Sequence, residues 1–402
     1  MTKNIAFLHK NFPYGGAERI TTDIAEYISH HEYKSIVFTW NQFQDKLSDN
    51  IKKYITIIEL PDKEEQHSTN NAQFIIEKIN EYNISIFIIQ GDELPYLAQL
   101  KKETLSCKFV FSFHGKPFCE ATYIEIAETE KHTSNRPLLK RLEWKYIRNI
   151  KFRLTQKYKK IALNSYINTY NQVDAFLVLC EEYKNKFIKE LKLDKANNKL
   201  FAIHNPERVV NQPNLNKKKQ LIFVGRMTYP DKRIDRLIHI WNKIYKQVPD
   251  WELLLIGEGP ERNKLEKIVM QLGTQHIHFM GHSTNVEEYY RSATVLCLTS
   301  TTEGWPLCLT EAQANGVIPI AYGCSDGVKT ILSPSGTNGF IIPSFNSKKY
   351  QRVLLNLLKN TQLQKTMQKN VIIKSKEYSI NNVGSKWIQL FNKLTENDLY
   401  NS

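Results

Sequence analysis

The sequence predicts an α/β protein built from two Rossmann-like domains with parallel sheets. Three observations carry this. Short, largely apolar, β-branched runs alternate with longer amphipathic segments, as in sheets covered on both faces. The alternation stops once at a polar break and then restarts. A chain of 402 residues is also long for one compact core.

In the first half, runs 5–9, 35–39, 84–89, 108–113, 175–179 and 201–203 read as strands. Segments 17–29 and 72–81 carry helical spacing. The break is Asn211-Gln212-Pro213-Asn214-Leu215-Asn216 followed by three lysines, polar and without apolar period. It marks the start of a second domain or the linker into it. Beyond it, strands are expected at 220–224, 252–256, 277–280, 295–298, 318–322 and 340–342. Helices are expected at 233–245, 262–272, 286–291 and 307–314, and a last amphipathic segment near 385–394 could pack on either domain.

The formal net charge of +14 suits an anionic partner: nucleic acid, an acidic membrane surface or a phosphorylated small molecule. Charge alone does not choose among them. None of the six cysteines forms a C-x-x-C pair, which argues against a zinc knuckle or a thioredoxin-type site. Several sit in apolar runs and read as buried free thiols of a reducing compartment. The apolar run at the N-terminus is too short for a signal peptide, and no stretch approaches the roughly 20 residues needed to span a bilayer. The expected location is cytoplasmic, or peripheral at the inner face of a membrane.

Four stretches carry chemistry. In Thr301-Thr302-Glu303-Gly304-Trp305-Pro306-Leu307 a strand turns into a helix that bears Glu311. The first turn of such a helix has unpaired N–H groups and a positive dipole end, which suits a phosphate. Gly225-Arg226 closes another strand, and Lys232 follows six residues after the arginine, so two cations can neutralise a diphosphate. Gly15 and Gly16 lie between the first strand and a helix and let the backbone approach a ligand. His114 follows an apolar strand. Each has an ordinary structural explanation when taken alone: solvated glutamates, a basic loop, a plain turn, a structural histidine. Gly257-Glu258-Gly259 begins like a dinucleotide fingerprint but lacks its third glycine. With no Asp-x-Asp pair and no His/Cys cluster, neither a metal nor a cofactor is expected.

Together these stretches resemble the retaining GT-B glycosyltransferases of family 4, the glycosyl transferases group 1. Glu303 and Glu311 match the family's E-x7-E motif, and Gly225, Arg226 and Lys232 its G-R-x5-K element. Gly15-Gly16-Ala17-Glu18-Arg19 matches the glycine-rich loop, and Asn205-Pro206 the N-P at the hinge. One departure is Trp305, where the family usually has phenylalanine. The resemblance implies two Rossmann-like domains facing across a cleft. The acceptor side would be 1–205, the donor domain 206–377, with residues from about 378 to 402 returning to the first domain. It implies transfer of a sugar, most simply from a UDP-sugar, to a glycan or lipid-linked acceptor in surface polysaccharide or lipopolysaccharide assembly. The nucleotide sugar is then a substrate, and no metal is needed. Arg226 and Lys232 would grip the diphosphate, Glu311 the ribose, while Glu303 and His114 would lie by the transferred sugar. Gly15, Gly16, Gly304, Trp305, Pro306, Leu307, Leu309 and Thr310 would complete the donor contacts.

Segment 136–160 carries ten Lys or Arg, a single acidic residue, Glu143, and interleaved leucines and aromatics. It suits an anionic membrane. No nucleic-acid module accompanies it, so nucleic acid is not the expected partner. The rival readings are another GT-B enzyme (a nucleotide-sugar epimerase or a sugar phosphorylase), a non-catalytic nucleotide-sugar-binding protein, and an NAD-dependent oxidoreductase. The incomplete glycine fingerprint argues against the last.

Overall fold

The structure is a computed structural model that describes residues 2–396 except 14, 44–48, 92, 134–135 and 196–197. The chain divides into two compact units, Met1–Ile203 with Gln389–Ser402, and His204–Ile388.

The first unit holds β1 (Lys3–Phe12), β2 (Tyr33–Gln42), β3 (Ile55–Glu59), β4 (Ile84–Gln90), β5 (Lys108–Ser112), β6 (Ala175–Val178) and β7 (Leu200–Ala202). They form one parallel sheet in the order β3-β2-β1-β4-β5-β6-β7. β4 shows why its sequence is a nearly unbroken apolar run: Ile86, Phe87, Ile88 and Ile89 are all buried, on both faces. Helix Gly16–Ser29 follows β1 and buries Ile20, Ile24 and Ile28, one residue per turn on a single stripe.

The second unit holds β8 (Gln220–Val224), β9 (Glu252–Ile256), β10 (Ile277–Gly281), β11 (Val295–Leu298), β12 (Ile318–Tyr322) and β13 (Phe340–Ile342). These are also parallel, in the order β10-β9-β8-β11-β12-β13. Helix Ile234–Ile244 seals the sheet with Ile234, Leu237, Ile238, Trp241 and Ile244. Each sheet thus reverses its strand order once, between β1 and β4 and between β8 and β11. In open parallel sheets, ligands bind beside such a reversal, at the carboxyl ends of the strands.

The unit boundary falls after Ile203 rather than 205. His204 stacks on Trp305 with ring centroids 4.7 Å apart, and Tyr378 meets both rings edge-on. The backbone N–H of Glu207 donates to Tyr378 O at 2.7 Å, and that of Ile380 to Glu207 O at 3.0 Å. These bonds hold the chain in the second unit well past 378. Within the final helix, Ile380–Glu396, the first unit begins only at Gln389. There Phe391 packs on Tyr33 at 5.4 Å, and Tyr33 Oη donates to Asn392 Oδ1 at 2.7 Å. Residues 397–402 of the expected return lie outside the described residues. All six cysteines are free thiols, and five are buried. No helix among the described residues is long and apolar enough to cross a membrane.

Candidate functional site

Two of the stretches singled out in the sequence meet at the strand-order reversal of the second unit. One leaves the carboxyl end of β8, the other that of β11. Lys232 Nζ donates to Glu303 Oε1 at 2.8 Å, and the side chains are 19% and 9% exposed. Ser300 Oγ donates to the same oxygen at 2.6 Å. The loops are also stitched by backbone: Thr301 N–H donates to Asp231 O at 2.7 Å, and Thr299 Oγ to Arg233 O at 3.0 Å. Burial pulls the Lys232 ammonium down, but Glu303 beside it outweighs this and holds it above the usual lysine value. Lys232 therefore stays a cation at any physiological pH. Arg226 lies exposed at the end of β8 and forms no ion pair among the described residues. One free cation and one paired cation thus flank the same strand ends, which is charge laid out for an anion.

The loop after β9 explains Gly257-Glu258-Gly259, and the explanation is not a dinucleotide. A Cβ on Gly257 would lie 2.0 Å from Gly225 O, and one on Gly259 2.4 Å from Met227 O. The glycines let two strand-end loops pack backbone on backbone, with Met227 N–H donating to Glu258 O at 2.7 Å. This packing fixes the loop that bears Arg226.

Helix Leu307–Ala314 begins at Pro306 with no side-chain cap. A helix start carries a positive dipole end, which suits an anion. Thr310 is fully buried and donates to Glu207 Oε2 at 2.9 Å, which ties the helix to the segment after Pro206. Leu309 is buried too, and its backbone N–H donates to Pro306 O at 3.0 Å. Trp305 is also buried, and its ring packs on His204 and Tyr378. Glu311 accepts from Tyr290 Oη at 2.5 Å. Burial, with Glu311 second, pushes the Tyr290 hydroxyl well up, so it remains a donor. One Glu311 oxygen is held in this way, which orients the carboxylate. Two buried polar atoms beside the site, Trp305 Nε1 and Thr228 Oγ1, have no hydrogen-bond partner among the described residues. Both atoms are available to a ligand or to water.

In the first unit, Gly15, Gly16 and His114 lie at the other strand-order reversal. Gly15 adopts φ +133° and precedes the helix that Gly16 opens. His114 Nε2 bonds Gln90 Oε1, at the end of β4. Burial, and next the nearby His9, lower His114 to about 4, so it is a neutral imidazole at pH 7. A group held neutral in the folded state but titrating near 6.5 when unfolded favours the unfolded chain as protons are added. Stability should fall as pH drops from about 6.5 towards 4, by on the order of 1–3 kcal/mol. His114→Gln should flatten that slope in urea titrations run at a series of pH values. An unchanged slope would show His114 to be solvated.

The sequence did not reveal Tyr290, Ser300, Glu207 or the partners of His114. Tyr290 sits in an ordinary amphipathic helix, and Ser300 in a run of hydroxyl residues. Among the described residues, no cluster of His, Cys, Asp or Glu could hold a metal. A cavity of about 520 Å³ opens beside Gln220, Glu252 and His278. Gln220 and Glu252 begin their strands, so it lies away from the ends that carry the charges.

Residues 206–373 match the model of the family described as Glycosyl transferases group 1. An uncharacterized glycosyltransferase of Haemophilus influenzae is 30% identical over 217 residues, 53% of this chain and 60% of that protein. The amylovoran biosynthesis glycosyltransferase AmsD of Erwinia amylovora is 30% identical over 177 residues, 44% of this chain and 49% of its own. The chain thus spans about half to 60% of the length of these relatives. The pneumococcal O-GlcNAc transferase GtfA, crystallised with UDP and GlcNAc, aligns over 98% of this chain and 99% of its own, at a TM-score of 0.73 and 13% identity. At that identity the likeness establishes the fold: two parallel-sheet α/β units of the GT-B class.

Proposed function

We propose that the protein is a retaining glycosyltransferase of family 4 that moves a sugar from a nucleoside diphosphate, most simply UDP, to a glycan or lipid-linked acceptor. The observation that carries this is the Lys232–Glu303 pair at the strand-order reversal of the second unit, beside exposed Arg226 and the uncapped helix start at Leu307. Arg226, Lys232 and the helix start take the diphosphate. Glu311, oriented by Tyr290, takes the ribose hydroxyls. Glu303 lies by the transferred sugar. The first unit takes the acceptor. The bond from the anomeric carbon to the diphosphate oxygen breaks, and the acceptor oxygen bonds that carbon on the same face. The acceptor proton passes to the leaving diphosphate. The protein supplies orientation and charge neutralisation, and no metal is required.

The test is thermal stabilisation and turnover with UDP-, GDP- and ADP-sugars in EDTA, beside Glu311→Ala and Arg226→Ala. One nucleotide sugar should stabilise the wild type and be turned over. Glu311→Ala should weaken donor binding roughly 10–100-fold, as for a lost hydrogen bond to a charged group. NMR of the product must show the donor's anomeric configuration, and an inverted product would rule out the retaining route. Donor binding without transfer, or an epimerised donor, would favour the rival readings.

We place the enzyme peripherally at the inner face of a membrane, in surface polysaccharide or lipopolysaccharide assembly. AmsD, named for amylovoran biosynthesis, supports the second part. The first rests on 136–160. Helices Leu138–Glu143 and Asn149–Leu154 are joined by a π-turn, Trp144–Arg148. Trp144 faces inward, while Leu139, Ile147 and Leu154 are 81%, 64% and 79% exposed. A π-turn takes one extra residue and sets the next turns back by about 100°. That brings Ile147, Ile150 and Leu154 to the side of Leu138, Leu139 and Leu142, an apolar ridge flanked by cations. The protein should float with anionic vesicles, salt-sensitively, and the triple variant Leu139→Glu, Ile147→Glu, Leu154→Glu should not. Equal binding to neutral vesicles, or none to either, would remove the membrane from the proposal.

A further inference from the structure

The polar break at 211–219 lies inside the second unit, and the donor site as described makes no use of it. Its later residues run up to the amino end of β8. Helix Val286–Ser292 leads into β11, and helix Leu307–Ala314 leads from β11 to β12, so both helices finish at the amino edge of the sheet. β8, β11 and β12 are neighbours there. The last four carbonyls of a helix have no partner within it and take their donors from elsewhere.

Lys217 supplies such donors to both helices at once. Its Nζ donates to Tyr290 O at 2.8 Å and to Arg291 O at 3.1 Å, in the last turn of the first helix. It also donates to Asn315 O at 2.8 Å, at the end of the second. Asn214 Nδ2 adds a bond to Arg291 O at 3.1 Å, and Lys218 N–H one to Ser292 O at 2.7 Å. Leu215 covers Gly316, where an added Cβ would lie 3.2 Å from its Cδ2. An ammonium has three N–H groups for these three carbonyls, and a cation is favoured at the carboxyl end of a helix. Burial, and next Arg291, lower Lys217 to about 8, so at pH 7 it still carries its charge.

The two helices carry the two ends of one hydrogen bond. Tyr290 Oη, from the first, donates to Glu311 Oε2, on the second, at 2.5 Å. Asn315 donates to Glu311 O from its backbone N–H at 3.2 Å and from Nδ2 at 3.0 Å. Lys217 therefore bonds the backbone of Tyr290 itself and of the residue that closes the turn after Glu311. Sliding either helix along its axis would open the Tyr290–Glu311 bond, and the lysine opposes that motion. We propose that Lys217 is a positioning residue: by locking the two helix ends together it fixes the Glu311 carboxylate, and with it the recognition of a nucleotide's ribose.

The ribose rests on the donor reading proposed above, whereas the clamp belongs to the free protein, so the two can fail separately. Urea titrations without ligand compare Lys217→Gln, Tyr290→Phe and the double variant. Glutamine keeps two N–H donors, so the fold should survive. The two destabilisations should not add, because each loosens the same pair of helices. Additive losses would overturn the proposal. Titrations with UDP and 2′-deoxy-UDP then read the ribose. In Lys217→Gln the UDP dissociation constant should rise roughly 3–10-fold, the worth of one hydrogen bond, and the preference for UDP over the deoxy compound should narrow. In a Glu311→Ala background the same substitution should change neither. Unchanged affinity and preference in Lys217→Gln would overturn the positioning role. So would affinity lost equally for both nucleotides, or lost again in Glu311→Ala, since either is general loosening of the second unit. A wild type that binds neither nucleotide, with the two destabilisations still coupled, would sink the donor reading and leave Lys217 as the clamp on the Tyr290–Glu311 pair.

Discussion

Lys232→Ala is expected to lower kcat by about 10²–10³-fold, the cost of removing one charge-stabilising group from a transition state. In the proposed reaction the diphosphate gains charge as the sugar leaves, so an ammonium beside it would stabilise the transition state more than the bound donor. KM for the donor should change less than kcat. The substitution also strands Glu303, whose side chain is only 9% exposed, without its cation. A partly buried unpaired carboxylate should cost about 1–3 kcal/mol of stability. The two effects separate in the double variant Lys232→Met, Glu303→Gln. Replacing both charges should recover melting temperature, while turnover stays lost. Recovery of turnover with stability would reduce the pair to a structural salt bridge. A folded-state pKa raised above an unfolded value near 10.4 means the pair contributes stability below that value, lost only as pH rises through the folded pKa. Turnover should therefore show no Lys232 titration between about pH 6 and 9.

The parallel sheets were legible because buried strands leave no room for polar residues. The runs at 84–89 and 220–224 match β4 and β8 to within a residue at each end. β3 was not read from the sequence, although Ile55-Thr56-Ile57-Ile58 is a short β-branched run; it is an edge strand of which only Ile55 is buried. Nor was the long insertion between β5 and β6. Its helix Cys119–Thr133 has almost no apolar stripe, and its spacing gives no period to read. In the candidate site, Arg226, Lys232, Glu303 and Glu311 could be singled out from the sequence because charged and glycine-rich turns at strand ends are local features. The partners that orient them are not local. Tyr290 is 21 positions from Glu311, and Gln90 is 24 from His114. Such pairs are made by the strand order, which brings distant strand ends together, and a single sequence carries no mark of them.

That dependence on strand order makes Gly257 the most sensitive position outside the charged residues. It sits at φ +133°, a conformation that side chains rarely adopt. An added Cβ would meet Gly225 O at 2.0 Å, a backbone atom that no rotamer change can move aside. β8 and β9 are in register from Gln220↔Glu252 to Val224↔Ile256, and Gly225 N–H donates to Ile256 O at 3.1 Å. The loop that bears Arg226 therefore has to lift away from β9. Gly257→Ala is expected to cost about 3 kcal/mol or more in stability, the range of strain at an over-determined backbone site. It should also weaken nucleotide-sugar binding, because Arg226 follows directly after the displaced residue. Gly273→Ala separates collision from backbone strain. Gly273 also has positive φ, +59°, yet nothing lies within 4 Å of its added Cβ. It should cost only about 1 kcal/mol and leave binding intact. Denaturant titrations and nucleotide-sugar titrations of the two variants decide the matter. If they behave alike, the loops after β8 and β9 are not locked backbone to backbone, and the placement of Arg226 needs another cause.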